Sequence, residues 1–254
     1  MSGRLAVVGL GPGAAAWRTP EAVERLAGAS DLVGYGPYLA MVGEEDSSAV
    51  RHEFDNREEA RRAELALDLA AAGRDVVVVS SGDPGVFAMA TAVVEALDAG
   101  GDRYAGVDLT IVPGITAASA AAARIGAPLG HDFCCISLSD VLKPWPVVER
   151  RLEAVACADL VVALYNPISR HRPWQLGRAL EILRAQRAPD TPVVLGRDVG
   201  RDGESTRVVT LGTVADAEVD MRTVVIVGST TTRAFVDGRG RTWAYTPRTY
   251  PAAD

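Results

Sequence analysis

The apolar positions of this chain fall in short, unbroken runs. Residues 5–8, 32–35, 76–80, 109–112, 134–138, 160–165, 193–195, 208–211 and 224–227 each read as a strand. Continuous rather than alternating apolar runs belong to strands covered on both faces, as in parallel sheets. Ala- and Leu-rich stretches with helical signals lie between them. Thr19 is an N-cap, with Pro20 at the first helical position and Glu21 in the first turn. Further helices are expected over residues 57–72, ending at Gly73, and over 86–99, 116–125, 146–158 and 174–188. Alternation of this kind predicts an α/β fold. The last two strands stand too close together for a helical crossover, so the C-terminal half should contain antiparallel strands. A division at Pro113-Gly114 gives an N-terminal α/β domain over residues 1–114 with a mostly parallel sheet. A C-terminal α/β domain with a mixed sheet follows over 115–254.

Three strand ends carry glycine loops. Gly9-x-Gly11-x-x-Ala14 has the outline of a dinucleotide fingerprint, but three features oppose that reading. The next helix starts only at Thr19-Pro20, Pro12 removes a backbone donor, and Asp31 precedes the second strand instead of ending it. The run Gly82-Asp83-Pro84-Gly85 places a carboxylate at the end of a buried strand, where α/β sheets bind ligands, although Asp-Pro-Gly is also plain turn chemistry. Pro113-Gly114 and Thr116 end a third strand. None of the three has the Gly-Lys-Ser/Thr of a phosphate loop. Three such loops on one sheet edge suit a nucleoside-like ligand without a pyrophosphate.

Composition narrows the field. With 254 residues, 48% of them hydrophobic, the chain can bury a sizeable core. Its 26 basic and 33 acidic residues leave a net charge of −7, which disfavours nucleic-acid partners. No apolar run is long enough for a membrane span, and the N-terminus lacks a signal-peptide pattern, so a cytoplasmic location is expected. Cys134, Cys135 and Cys157 make no CxxC and the three histidines are scattered, so no metal site is expected.

The ordered motifs VGLGPG, SGDPGVF and VPGITAAS resemble the signature of the tetrapyrrole methylases, over nearly the whole chain. GHDFCCISLSD, the Lys143-Pro144-Trp145 run after it, and ALYNPISRHR resemble the branch acting on carbon 17 of precorrin-3B. The resemblance implies a homodimer of two-domain α/β subunits with the active site in the cleft between domains. It implies methylation by S-adenosylmethionine, leaving S-adenosylhomocysteine, coupled to ring contraction to precorrin-4 on the route to cobalamin. By motif it assigns cofactor contacts to Pro12, Ser81, Gly82, Asp83, Val86, Thr116, Ala117, Tyr165 and Asn166, with looser matches at Gly196, Arg197, Thr223 and Val225.

Methyl transfer from a sulfonium needs alignment more than acid–base chemistry, and alignment is worth roughly 7–11 kcal/mol. Asp83, His131 and Asp140 are general-base candidates by residue type alone. A polycarboxylate tetrapyrrole calls for arginines. Arg170 and Arg172, which follow a strand end, lead the candidates. Arg51 with His52, Arg57, His171, Arg197 and Arg201 stand behind them, whereas Arg61 and Arg62 read as a solvated helix face. The competing readings are a cobalt-factor III carbon-17 methyltransferase, a nucleotide-binding oxidoreductase built on residues 9–14, and a non-catalytic binding module.

Overall fold

The structure, a computed structural model, describes residues 3–214 and 219–250. The chain divides into two compact units after Thr116.

The first unit is a five-stranded parallel sheet in the order β3-β2-β4-β1-β5, made of β1 (Arg4–Gly9), β2 (Asp31–Tyr35), β3 (Val50–Phe54), β4 (Asp75–Ser80) and β5 (Asp108–Val112). The pleat sorts its side chains. Leu5, Val7, Val76 and Val78 face α3 (Glu59–Ala71) and α4 (Met89–Gly100) in one core. Ala6, Val8, Val77 and Val79 face α1 (Pro20–Ala27) and the short α2 (Gly36–Leu39) in another. Both faces are covered, which is why these strands read as unbroken apolar runs. Thr19 caps α1 by accepting the Ala22 amide at 3.1 Å, and that helix docks through Ala22 and Leu26. Complete burial of Leu26 contributes about 1.5–3 kcal/mol. The sequence pattern missed β3: VRHEF is an exposed, charged edge strand with no apolar run to betray it.

The second unit holds α5 (Ala117–Ile125), β6 (Gly126–Ala127), β7 (Phe133–Ser137), α6 (Trp145–Cys157), β8 (Val161–Tyr165), α7 (Gln175–Arg184), β9 (Pro192–Arg197), β10 (Ser205–Thr210), β11 (Thr223–Val227), β12 (Arg233–Val236) and β13 (Thr242–Tyr245). Its main sheet runs β10-β9-β11-β8-β7, with β7–β8 parallel and the other three pairings antiparallel, the mixed sheet expected of this half. One face packs on α6 and α7 through Val148, Leu152, Leu176, Leu180 and Leu183. The other receives α5 so closely that a Cβ on Gly196 would come within 2.5 Å of Ala121. A small sheet, β12-β13-β6, completes the unit and has no counterpart in the sequence reading. Helix α7 ends at Arg184 instead of continuing to 188. Just beyond it, Arg187 turns inward and donates to the carbonyls of Leu160 at 2.6 Å and Gly228 at 2.7 Å.

Candidate functional site

Strands β4, β1 and β5 are parallel neighbours, so the loops that follow them emerge at one edge, as the sequence pattern requires. There they interlock through backbone. The Gly11 amide donates to the Gly82 carbonyl at 3.1 Å and the Gly82 amide donates back to the Gly11 carbonyl at 2.7 Å. Asp83 ties in the third loop: one carboxylate oxygen accepts the Gly85 amide at 2.8 Å, and the other accepts the Gly114 amide at 3.1 Å. Glycine is obligatory at the crossing. A Cβ on Gly114 would lie 2.2 Å from the Gly82 carbonyl oxygen, and one on Gly9 would lie 2.7 Å from the Gly114 nitrogen. Gly11 and Gly82 also hold φ values of +70° and +68°. Pro12 is buried beside this crossing, while Ser81, Val86 and Thr116 are half-buried around it. Val86 closes the Asp83 turn with its amide, and Phe87 follows at φ 54°, so α4 starts at Met89 rather than at 86. Asp83 therefore builds the turn, and each of its oxygens keeps a lone pair beyond the amide it accepts.

In the second unit the carboxyl ends of β7, β8 and β9 share an edge, because β8 and β9 are both antiparallel to β11. Tyr165 ends β8, and its phenolic oxygen accepts the Ala118 amide at 3.0 Å in the first turn of α5. Asn166 follows in the left-handed region at φ 50°, which asparagine tolerates. Its side-chain amide donates to Ser137 Oγ at 2.9 Å. Arg172, only 8% exposed, donates to the Asn166 carbonyl at 2.8 Å and to Met221 Sδ at 3.3 Å. Burial pulls its pKa down, opposed by Asp140. Asp140 accepts from buried Gln175 at 3.0 Å. Lys143, the only lysine of the chain, is half-buried on the same loop; its pKa is lowered by burial and then by Arg151.

Several expectations change. His131 precedes β7, whose Phe133 pairs with Val161 and Ser137 with Tyr165, so it lies at the amino edge, its ring 5.8 Å from that of Tyr250. It cannot serve as a base beside Tyr165. His52 lies in the middle of β3, opposite Val33, and its ring turns to Asp31 at the amino end of β2, 2.8 Å away. Arg51 donates to the carbonyls of Leu39, Val42 and Gly43 and so anchors a crossover. Arg62 is no solvated helix residue: it is 3% exposed and donates to the Asp55 carbonyl at 2.9 Å and to Met89 Sδ. Arg61 is exposed, as expected. Val225 is a core residue between Leu164 and Leu195, with both strand edges paired. Thr223 is buried and bonded to Asp220, and Gly196 serves helix packing. Arg197 bridges Asp198 and Asp220, each at 3.0 Å. Arg57, Arg170 and His171 are exposed, and Arg201 lies on the turn after β9. Sequence reasoning did not find Gln175 or Met221, which contact Asp140 and Arg172 across 35 and 49 positions of the chain.

Among the described residues no group of three or more His, Cys, Asp or Glu side chains gathers for a metal ion. No helix there is long and apolar enough to cross a membrane. A cavity of about 150 Å³ beside Arg4, Glu24 and Asp75 opens at the amino edge, the wrong end of the first sheet for these loops.

The profile of the tetrapyrrole (corrin/porphyrin) methylases matches residues 4–215. A precorrin-3B C(17)-methyltransferase of Sinorhizobium sp is 52% identical over 253 residues, spanning 100% of this chain and 99% of that protein. The cobalamin biosynthesis protein CobIJ of Mycobacterium bovis is also 52% identical, but this chain spans only 49% of it. The crystal structure of the methyltransferase CobJ superposes with a TM-score of 0.90 at 50% identity, covering 97% of this chain and 100% of that one. With matching motifs, a matching fold and full-length identity to curated methyltransferases, this chain belongs to the tetrapyrrole (corrin/porphyrin) methylases and is a methyltransferase.

Proposed function

We propose that this enzyme transfers the methyl group of S-adenosylmethionine to carbon 17 of precorrin-3B, with ring contraction to precorrin-4, in cobalamin biosynthesis. The full-length identity to a precorrin-3B C(17)-methyltransferase carries the choice of substrate. The glycine crossing supports the cofactor: it packs the backbones of three strand-end loops against one another, so that Asp83 and the loop amides are fixed at one sheet edge. When bound, the cofactor supplies an electrophilic methyl on a sulfonium.

The chain's own residues bind and orient. Proposed cofactor contacts are Pro12, Ser81, Gly82, Asp83, Val86 and Thr116 of the first unit and Ala117, Tyr165 and Asn166 of the second. Asp83 fixes two loops through two amides and offers its remaining lone pairs to a hydroxyl or ammonium. Tyr165 and Asn166 are held by Ala118 and Ser137, so they enter the site already oriented. Arg57 and Arg170, exposed at the carboxyl edges, are the proposed partners of substrate carboxylates, while Arg172 works from beneath. The enzyme is proposed to act in the cytoplasm as a homodimer, with domains dividing near residue 114.

The test is turnover with isotopically labelled S-adenosylmethionine and metal-free precorrin-3B, with cobalt-factor III in parallel. Mass spectrometry should show one added methyl on the metal-free substrate. Turnover of the cobalt-loaded macrocycle alone would reassign the substrate. Calorimetric binding of NADH in place of S-adenosylhomocysteine would reject the cofactor.

A further inference from the structure

A groove of about 400 Å³ opens at the carboxyl edge of the second unit's main sheet. One wall is the β8–α7 connection, the other the segment entering β11, and the volume falls in the range of small-molecule sites. Its apolar lining is Ile168, Pro173, Val219 and Met221. Met221 is 43% exposed, yet its sulfur is held by Arg172, so a normally flexible side chain is fixed in place. Arg172 also holds the Asn166 carbonyl, which joins the groove to the end of β8.

The rim is cationic. Ser169 and Arg172 exchange backbone hydrogen bonds of 3.1 and 3.0 Å, a tight turn with Arg170 and His171 at its tip. Arg170 has no ion-pair partner among the described residues. Arg222 reaches Asp198 at 3.3 Å and Asp220 at 3.5 Å, but Arg197 already holds the same two carboxylates at 3.0 Å each. Arg170 and Arg222 therefore keep guanidinium donors beyond the carboxylates already claimed, in a chain of net charge −7. An apolar ligand would not use these guanidinium groups, an inorganic anion would not use the floor, and an amino-acid zwitterion would bring an ammonium against them.

We propose that this groove seats an acid-bearing edge of the tetrapyrrole, with the ring edge on Met221 and Ile168 and the carboxylate arms paired by Arg170 and Arg222. Arg172 is a positioning residue that fixes the floor. The proposal rests on the tetrapyrrole reading above and adds Arg222 and Met221 to the substrate site.

The test titrates wild type, R170Q/R222Q, R170K/R222K and the surface control R150Q/R178Q with cobyrinic acid, a stable corrin polycarboxylate, and separately with S-adenosylhomocysteine. R170Q/R222Q should weaken corrin binding at least tenfold, equivalent to about 1.4 kcal/mol, and leave S-adenosylhomocysteine within twofold. The lysine pair should restore part of the loss. In wild type, cobyrinic acid should protect Arg170 and Arg222 from phenylglyoxal, read by peptide mass spectrometry, and that readout requires no variant to fold. Unchanged corrin affinity, equal loss in the surface control, parallel loss of S-adenosylhomocysteine binding, or no protection of either arginine would overturn the groove. Wild type that binds neither probe would instead sink the methyltransferase reading.

Discussion

The glycine crossing makes a sharp prediction. Gly114→Ala places a Cβ 2.2 Å from the Gly82 carbonyl oxygen and 3.0 Å from Gly9 Cα. Close carbon–oxygen contacts sit at about 3.3 Å, so something must move by about 1 Å. The obstructing atoms are backbone and cannot rotate away. Overpacking costs typically 1–3 kcal/mol, and straining the reciprocal Gly11–Gly82 hydrogen bonds adds about 0.5–1.5 kcal/mol. A loss of about 2–4 kcal/mol corresponds to a melting point lower by roughly 4–16 °C in a chain of this size. S-adenosylhomocysteine affinity should fall at least tenfold, about 1.4 kcal/mol, because the moved atoms are the proposed cradle. Gly238→Ala is the matched control: a Cβ there meets no atom within 4 Å and its φ is not positive. It should be neutral or stabilising by about 0.4–1 kcal/mol. Differential scanning calorimetry with and without ligand reads both variants. If Gly114→Ala melts and binds like wild type, the close-approach argument is wrong.

Asp83→Ala removes two amide acceptors, each bond worth about 1.5–3 kcal/mol, and should lower both stability and S-adenosylhomocysteine affinity; normal affinity in a destabilised variant would leave only the turn role. At Asp31, burial raises the pKa but hydrogen bonds from His52, Arg74 and Ser30 outweigh it, so the folded value lies below 3.8. Its contribution is therefore complete above about pH 4 and fades as pH falls through the folded value. Asp31→Asn should cost about 1–3 kcal/mol at neutral pH, and the gap to wild type should narrow in acid; a gap unchanged by acid in urea titrations would contradict the cluster. Burial pushes the Cys134 thiol up to about 11 and also raises Cys135, whereas Cys157 is exposed. A thiol titration at pH 8 should find Cys157 reacting first, with the other two requiring denaturant.

What the sequence disclosed was local. A buried strand, the glycines after it and the N-cap of the next helix sit within a few residues of one another, so the cradle was legible in three separate fragments, and parallel pairing of β1 with β4 and β5 brought them to one edge. What it hid was direction and partnership. His131 looked available until the parallel run of β7 with β8 put it at the far edge. The anchoring of Arg51, Arg62 and Arg172 was hidden because their acceptors are main-chain carbonyls and thioethers, which carry no signature in residue type. The edge strands β3 and β12 are largely exposed and carry no apolar period to find.

The cradle also bears on the order of events during folding. Its components come from residues 9–12, 82–87 and 113–116, the two ends of the first unit and a loop between them, and β1 waits for partners at Asp75 and Asp108 before it is covered on both sides. Such distant pairings close late and slowly, since the entropy of long loops is lost before the contacts form. A nascent chain can join Gly11 to Gly82 once β4 pairs with β1, but the link from Asp83 to Gly114 waits for β5. Competence to take up the proposed adenosyl ligand should therefore emerge when β5 docks against β1, which makes ligand uptake a clock for that pairing.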